Sequence, residues 1–278
     1  MRPARPVLRV LTTVLLSLVT GGAAVLGASP VLADVSVDYV ALGDSYSSGV
    51  GTRSYDNDSG NCLRGPKAYP ALWSASRAPA SFRFAACSGA TTAEVKANQL
   101  GALSSGTDLV TVSVGGNDAG FADRVTTCQL GTDAECDQTV DEAEEYMENE
   151  LPARLDSTYS RIRRAAPKAK VLVVGYPRLF ELGSCPVFGA LSEPKRARLN
   201  QAADRMAAVT SARAKAAGFT FVDVRQRFAG HGVCSRTPWV NGLSWPIAES
   251  YHPNADGHAK GYLPALEGVT KSAASARR

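Results

Sequence analysis

Five short apolar runs alternate with segments of helical periodicity along this 278-residue chain, and this alternation constrains the fold more than any other feature. The apolar runs predict strands at about residues 37–42, 82–86, 109–114, 171–175 and 219–224. The helical patterns cover about residues 69–77, 92–100, 141–165, 193–217 and 255–269. Thr91 and Glu94 have the spacing of a capping box at the start of the second helix. Strands and helices in alternation predict a single-domain, three-layer α/β/α sandwich with a central parallel sheet.

The N-terminus has the pattern of a targeting segment rather than of a folded element. Arg2, Arg5 and Arg9 precede an apolar run over about residues 10–26, and small residues follow up to Ala33. A basic region, a short apolar region and small residues before a cut are typical of a secretory signal peptide. We expect cleavage after Ala33, with an uncleaved anchor as the alternative. The chain is therefore predicted to be extracellular, with residues 1–33 as signal peptide and 34–278 as the functional domain.

Charge and hydropathy limit the partners of the mature chain. The formal net charge of the whole chain is +4. Removal of the predicted signal peptide, with its arginines, makes the net charge less positive. No run of Lys and Arg follows the signal, so no nucleic-acid surface is indicated. No second apolar segment is long enough to span a bilayer. We expect a monomer without a transmembrane segment.

All six cysteines lie in the predicted mature part, and an even number in an exported chain implies disulfides. Many pairings are possible, and we favour the most local one. It joins Cys62 to Cys87, Cys128 to Cys136 and Cys185 to Cys234. Segments 56–65 and 128–137 are then expected to be surface loops pinned by disulfides.

A zinc site is the competing interpretation of the cysteines. However, the sequence contains no Cys-x-x-Cys, and His231, His252 and His258 show no ligand spacing with the cysteines. We expect neither a metal nor a cofactor.

Three polar or flexible residues follow the first three predicted strands. Ser45 closes a Gly-Asp-Ser turn, Gly89 lies in the loop after the second strand, and Asn117 lies in Gly-Gly-Asn-Asp after the third. Each alone is typical of a turn or a helix cap. Because the carboxyl ends of parallel strands meet at one edge, the three can share a site. When a hydroxyl attacks an ester, hydrogen-bond donors must stabilise the oxyanion that forms. The Asn117 amide can supply one such donor. The Gly89 N–H, which no side chain obstructs, can supply another.

His252 is the candidate general base for this site. It directly precedes Pro253 and the last predicted helix, so it is expected in an extended loop that can fold back over the strand edge. Imidazole titrates near neutral pH, which suits a base that later acts as an acid. His258, within the helix, and His231, in a loop, are expected to have packing or structural roles.

Taken together, these residues resemble a known family, the SGNH hydrolases, also called GDSL esterases and lipases. The blocks that carry the resemblance are Gly43-Asp44-Ser45, Gly89, Gly115-x-Asn117-Asp118 and the late His252. The longer stretches Ala-Leu-Gly-Asp-Ser-Tyr-Ser-Ser-Gly and Gly-Gly-Asn-Asp-Ala-Gly-Phe-Ala-Asp are similar to those of extracellular Streptomyces GDSL lipases and phospholipases A1. The three local disulfides agree with that branch as well.

The resemblance implies a flavodoxin-like sandwich and a role for each matching residue. Ser45 would be the nucleophile and His252 the base. The N–H groups of Ser45 and Gly89, with the Asn117 side chain, would form the oxyanion hole.

The chain departs from the wider family at the residue that orients the histidine. The family has an Asp three residues before the histidine, where this chain has Glu249. The branch resembled here can use instead the main-chain carbonyl two residues before the histidine, which is that of Ser250. We favour the Ser250 carbonyl, with the Glu249 carboxylate as the alternative.

The expected function is therefore that of a secreted serine carboxylic-ester hydrolase that forms an acyl-enzyme on Ser45. Lipase, esterase and phospholipase A1 all fit, with an ester or lipid as substrate. Two alternatives stay open from the sequence. One is an O-deacetylase of polysaccharides or small molecules, and the other is a secreted binding protein without turnover.

Overall fold

A computed structural model describes residues 37–275. Five strands within this range form one parallel sheet in the order β2-β1-β3-β4-β5. The strands are β1 Asp38–Gly43, β2 Ser81–Phe84, β3 Leu109–Ser113, β4 Lys170–Val174 and β5 Thr220–Val222. All five predicted strands are present, with ends that differ by one or two residues. The predicted signal peptide lies outside the described residues.

Helices cover both faces of the sheet, as predicted. They are α1 Ser45–Ser48, α2 Tyr69–Arg77, α3 Thr92–Glu94, α4 Phe121–Leu130, α5 Asp133–Asn149, α6 Leu151–Ala165, α7 Glu193–Ala216, α8 Arg225–Phe228 and α9 Leu263–Ser275. A π turn over Val95–Gln99 extends α3, and another over Gly257–Tyr262 precedes α9. Within residues 37–275, no helix is both long and apolar enough to cross a membrane.

The central strands alternate their side chains between two apolar cores because both faces are covered. On one face, Tyr39 of β1 packs with Trp73 of α2 and Leu266 of α9. On the other, Val40 packs with residues of α6 such as Leu155. The resulting three-layer α/β/α sandwich confirms the predicted fold class.

Two predictions about helices were wrong in detail. The single helix predicted over residues 141–165 is two helices, α5 and α6, which meet at Glu150. Pro152 lies in the first turn of α6, where its missing N–H costs nothing. Segment 128–137, predicted as a loop, is the end of α4 and the start of α5. Thr132 and Glu135 form a capping box there, as Thr91 and Glu94 do at the start of α3.

The three disulfides are those of the most local pairing, which confirms that prediction. Cys62 pairs with Cys87, Cys128 with Cys136, and Cys185 with Cys234. Segment 56–65 contains a 3₁₀ turn over Asn57–Cys62, and its disulfide ties this turn to the loop after β2. The second disulfide joins α4 to α5.

Candidate active site

Ser45 lies where the first strand turns abruptly at the carboxyl edge of the sheet. β1 ends at Gly43, whose φ of +127° lies in the region that glycine favours. A Cβ at Gly43 would stand 2.5 Å from the Ser113 carbonyl oxygen of the neighbouring strand. The Asp44 side chain then accepts a hydrogen bond from the Tyr46 N–H and caps α1. Ser45 is therefore held in the first turn of a short helix, at the strand edge where the sequence predicted it.

His252 makes two hydrogen bonds that define its tautomer. Its Nε2 lies 2.8 Å from Ser45 Oγ, and its Nδ1 lies 2.9 Å from the Ser250 carbonyl oxygen. A carbonyl can only accept a hydrogen bond, so Nδ1 carries the proton. Nε2 is then free to accept the Ser45 hydroxyl proton, which is the arrangement that a serine nucleophile needs.

The loop before α9 holds the imidazole firmly in this orientation. The Asn241 N–H donates to the His252 carbonyl at 2.9 Å, and Tyr251 adopts a φ of +59°. The Tyr46 hydroxyl donates to the Tyr251 carbonyl at 2.7 Å, and the Tyr46 ring lies 5.0 Å from the imidazole. Because Tyr46 directly follows Ser45, its hydrogen bond links the turn at Ser45 to the loop that carries His252.

Burial sets the charge state of the histidine. Desolvation lowers the pKa of His252 to about 4, although the Ser250 carbonyl and the nearby Glu249 charge favour the protonated form. At neutral pH the imidazole is therefore uncharged, which is the form that accepts a proton.

The Glu249 carboxylate is directed away from the histidine. It accepts hydrogen bonds from Arg53 Nε at 3.1 Å and from the Tyr55 hydroxyl at 2.7 Å, and only 4% of the residue is exposed. Of the two groups that the sequence offered for orienting His252, the one in contact with its Nδ1 is the Ser250 carbonyl. Glu249 instead links the histidine loop to the loop after α1.

The candidate oxyanion donors lie on the loops after β2 and β3. Asn117 lines the same cleft as Ser45, and one N–H of its amide donates to the Ala90 carbonyl at 3.1 Å. That bond fixes the amide and leaves its second N–H free. Among residues 37–275, the backbone N–H groups of Ser45 and Gly89 donate to no protein acceptor.

The backbone conformation of Gly89 adds to what its sequence predicts. The sequence predicts that the absent side chain allows the N–H to approach its target closely. In the structure Gly89 has a φ of +79°, a backbone conformation that glycine favours, and a Cβ there would meet no protein atom within 4 Å. Close approach of the Gly89 N–H to a ligand stays a prediction.

Two residues that support the site were missed in the sequence. Tyr176, directly after β4, donates its hydroxyl to the Asp44 carboxylate and accepts from the Gly116 N–H at 3.3 Å. The Gln99 side chain bonds both the N–H and the carbonyl of Gly43. Tyr176 follows a strand end, as Ser45 and Asn117 do, so the same rule could have found it. No comparable signal marks Gln99.

The Asp44 carboxylate is fully buried in this supporting network. Desolvation raises its pKa to about 6, and hydrogen bonds from Tyr176, Ser113 and the Tyr46 N–H oppose that rise. Besides capping α1, Asp44 thus accepts hydrogen bonds from two groups outside its own turn, the hydroxyls of Ser113 and Tyr176. Through these bonds Asp44 links the turn at Ser45 to β3 and to the segment that follows β4.

An apolar cleft begins at Ser45 and extends between α4, α5 and α7. Its empty space is about 720 Å³, part of it open to solvent. Phe121, Val125, Met147, Leu199 and Met206 are among its apolar lining residues. Such a lining suits the hydrocarbon part of a substrate, which gains free energy by leaving water.

The other histidines lie outside this site. His258 is buried, and its Nδ1 accepts a hydrogen bond from the Tyr69 N–H. His231 stacks on Trp239 at 3.7 Å. In the described part of the chain, no three His, Cys, Asp or Glu side chains are grouped as metal ligands.

Comparison with known proteins identifies the family of this chain. Residues 41–260 match the GDSL-like Lipase/Acylhydrolase family. This chain belongs to that family. Lipase 1 of Streptomyces coelicolor is 51% identical over 251 residues, which cover 90% of this chain and 92% of the lipase.

Two crystal structures of Streptomyces enzymes share the fold closely. The extracellular lipase of Streptomyces rimosus is 53% identical, with a TM-score of 0.81 over 84% of this chain and 99% of that one. Phospholipase A1 of Streptomyces albidoflavus NA297 is 50% identical, with the same TM-score and the same coverage of both chains. Membership of the GDSL family together with these relatives makes this chain a carboxylic-ester hydrolase.

Proposed function

We propose that this chain is a secreted lipase that cleaves carboxylic esters through an acyl-enzyme on Ser45. The observation that carries the proposal is the 2.8 Å hydrogen bond from Ser45 Oγ to His252 Nε2, with His252 Nδ1 held on the Ser250 carbonyl. The apolar cleft that begins at Ser45 supports a substrate with a hydrocarbon acyl chain. The predicted leader over residues 1–33 and the extracellular relative from Streptomyces rimosus support secretion. We expect the mature enzyme to act as a monomer.

In the proposed mechanism, Ser45 Oγ attacks the ester carbonyl carbon while its proton passes to His252 Nε2. The N–H groups of Ser45 and Gly89 and the free N–H of Asn117 donate to the oxyanion that forms. Protonated His252 gives its proton to the departing alcohol, which leaves the acyl group on Ser45. His252 then takes a proton from a water molecule while the water oxygen attacks the acyl carbon. His252 returns that proton to Ser45 Oγ as the carboxylic acid leaves, which restores Ser45.

The substrate class is tested with the mature enzyme and three parallel series. These are triacylglycerols of increasing chain length, phosphatidylcholine with defined acyl positions, and acetylated xylan. Preference for acyl chains longer than acetyl supports the lipase proposal. Cleavage of the sn-1 ester of phosphatidylcholine would extend it to phospholipase A1, which the Streptomyces albidoflavus relative suggests. Activity confined to acetyl groups would contradict it and favour an O-deacetylase.

The role of Glu249 can be separated from that of the Ser250 carbonyl. We expect Glu249→Ala to keep kcat/KM for a soluble ester within about tenfold of the parent, because His252 Nδ1 retains its carbonyl partner. Glu249→Gln is the matched control, since it keeps an acceptor for Tyr55 without the charge. If Glu249 were a triad acid, both variants would lose on the order of 10⁴-fold in kcat.

Because His252 is buried, we expect kcat/KM to decrease in acid only at unusually low pH. Protonated imidazole cannot accept the Ser45 proton, so kcat/KM should fall as pH decreases through about 4 and stay level from there to neutral pH. The measurement is initial rates on a soluble ester between pH 3 and 8, with circular dichroism at each pH to confirm folding. The Asp44 carboxyl, with its pKa of about 6, could also produce a midpoint in that range. A midpoint of about 6.5, the value of a solvated histidine, that Asp44→Asn leaves in place would therefore contradict the desolvated site.

A further inference from the structure

Large apolar side chains are exposed together on two loops beside the histidine. Residues Val187, Phe188, Leu243, Trp245 and Ile247, here called the apolar rim, are all exposed. Phe188 is 93% exposed, Trp245 85% and Ile247 61%. Single exposed apolar residues are common on soluble proteins, but a grouped set marks an interaction surface.

The two loops of the apolar rim contact each other. A Cβ at Gly189 would stand 2.9 Å from Leu243 Cδ2, and one at Gly242 would stand 3.6 Å from Val187 Cγ1. A shallow groove runs between the loops and reaches Tyr251, the residue before His252. The two loops therefore form one surface, which adjoins the loop that carries His252.

Ile247 of the apolar rim lies in the loop that leads to His252. Its carbonyl accepts a hydrogen bond from the Ser250 N–H at 3.0 Å, and the Ser250 carbonyl holds His252 Nδ1. The Ser250 hydroxyl accepts from the Ser244 N–H at 2.9 Å. These bonds use backbone and serine groups, so the exposed Trp245 side chain takes no part in them. A ligand that covers the apolar rim thus lies next to the loop that carries His252.

The charge of the two loops indicates the kind of surface that they fit. Residues 182–192 and 237–248 contain no Asp, Glu, Lys or Arg. Segments that bind anionic lipids carry Lys and Arg, which pair with the headgroups. Exposed Trp and Phe without such cations suit a lipid surface with no net charge, where aromatic rings lie at the headgroup level.

A second copy of the chain is a poorer partner for this surface. Stable protein interfaces use about 20–30 residues from each side. The apolar rim offers five side chains and a shallow groove. A lipid surface needs no complementary shape, so a few protruding apolar side chains are enough to engage it.

We propose that the apolar rim docks this enzyme onto the interface between water and lipid of zero net charge, with phosphatidylcholine as the probe. The proposal rests on the proposed function, because docking there brings lipid esters beside Ser45. It adds that Phe188 and Trp245 act in interfacial binding and not in the chemical steps.

The first test compares two substrates for the variant Phe188→Ser/Trp245→Ser. We expect its hydrolysis of subsaturating phosphatidylcholine vesicles, or of a tributyrin emulsion, to fall by about tenfold or more, because less apolar area leaves water on docking. Its kcat/KM for soluble p-nitrophenyl acetate should stay within about twofold, since exposed side chains contribute little to folding. The control Phe188→Leu/Trp245→Phe keeps the apolar character and should retain the vesicle activity. An equal loss on both substrates, or no loss on vesicles, would overturn the proposal.

The second test measures docking without turnover. In the Ser45→Ala background, emission from Trp245 should shift to shorter wavelength when phosphatidylcholine vesicles are added, and Trp245→Phe should remove that shift. This binding readout is independent of catalysis, so it distinguishes failure of docking from failure of the proposed function. Tighter binding to phosphatidylglycerol vesicles than to phosphatidylcholine would overturn the zero-charge surface. A dimer that the double serine variant abolishes would assign the apolar rim to a second copy.

Discussion

Ser45→Ala is expected to lower kcat for a soluble p-nitrophenyl ester by on the order of 10⁴-fold or more, which is the scale of removing a nucleophile that acts together with its base. The Ser45 hydroxyl is the group 2.8 Å from His252 Nε2, and alanine leaves no atom to form the acyl-enzyme. Stopped-flow or long-time assays on purified protein measure the residual rate.

Ser48→Ala is the matched control for this substitution. Ser48 lies on the same short helix, is also buried, and its hydroxyl donates only to the Ser45 carbonyl at 3.3 Å. It should keep kcat within about threefold, because that long bond contributes little. If Ser45→Ala remained active while folded, the proposed nucleophile would be wrong.

His252→Ala is expected to produce a loss of similar size, on the order of 10⁴-fold in kcat, since Ser45 then has no group to accept its proton. Added imidazole should restore part of the rate, because the vacated space beside Ser45 can hold a free base. The rescue is measured as the rate against imidazole concentration at constant pH.

His231→Gln serves as the histidine control. His231 stacks on Trp239 and its Nδ1 lies 2.9 Å from the Thr237 carbonyl, away from the cleft residues. Its kcat should stay close to that of the parent. A fully active His252→Ala variant would require another base and would contradict the proposed pairing of Ser45 with His252.

The sequence predicted the elements whose signals are local. Each strand is a short apolar run, and Ser45, Gly89 and Asn117 follow strand ends that a parallel sheet brings to one edge. The start of α5 was missed because its residues are mostly acidic and polar, although Thr132 and Glu135 form a recognisable capping box.

The supporting contacts of the site depend on packing between distant parts of the chain. The choice of the Ser250 carbonyl over Glu249 follows from the turn at Tyr251, whose positive φ no sequence pattern indicated. Likewise, Gln99 reaches Gly43 only because the turns after Thr92 pack against β1. The contact between Gln99 and Gly43 joins residues 56 positions apart, so periodicity and spacing do not reveal it. The contact between Ser250 and His252 spans two positions, and only the family resemblance favoured it.

The hydrogen bond between Ser45 and His252 joins residues 207 positions apart. Ser45 directly follows the turn after β1 and His252 lies beyond β5, so all five strands of residues 37–275 are synthesised before the pair can form. A nascent chain that has not reached residue 252 thus carries Ser45 without His252. The proposed pair is assembled only as the completed sheet and the loop before α9 fold together.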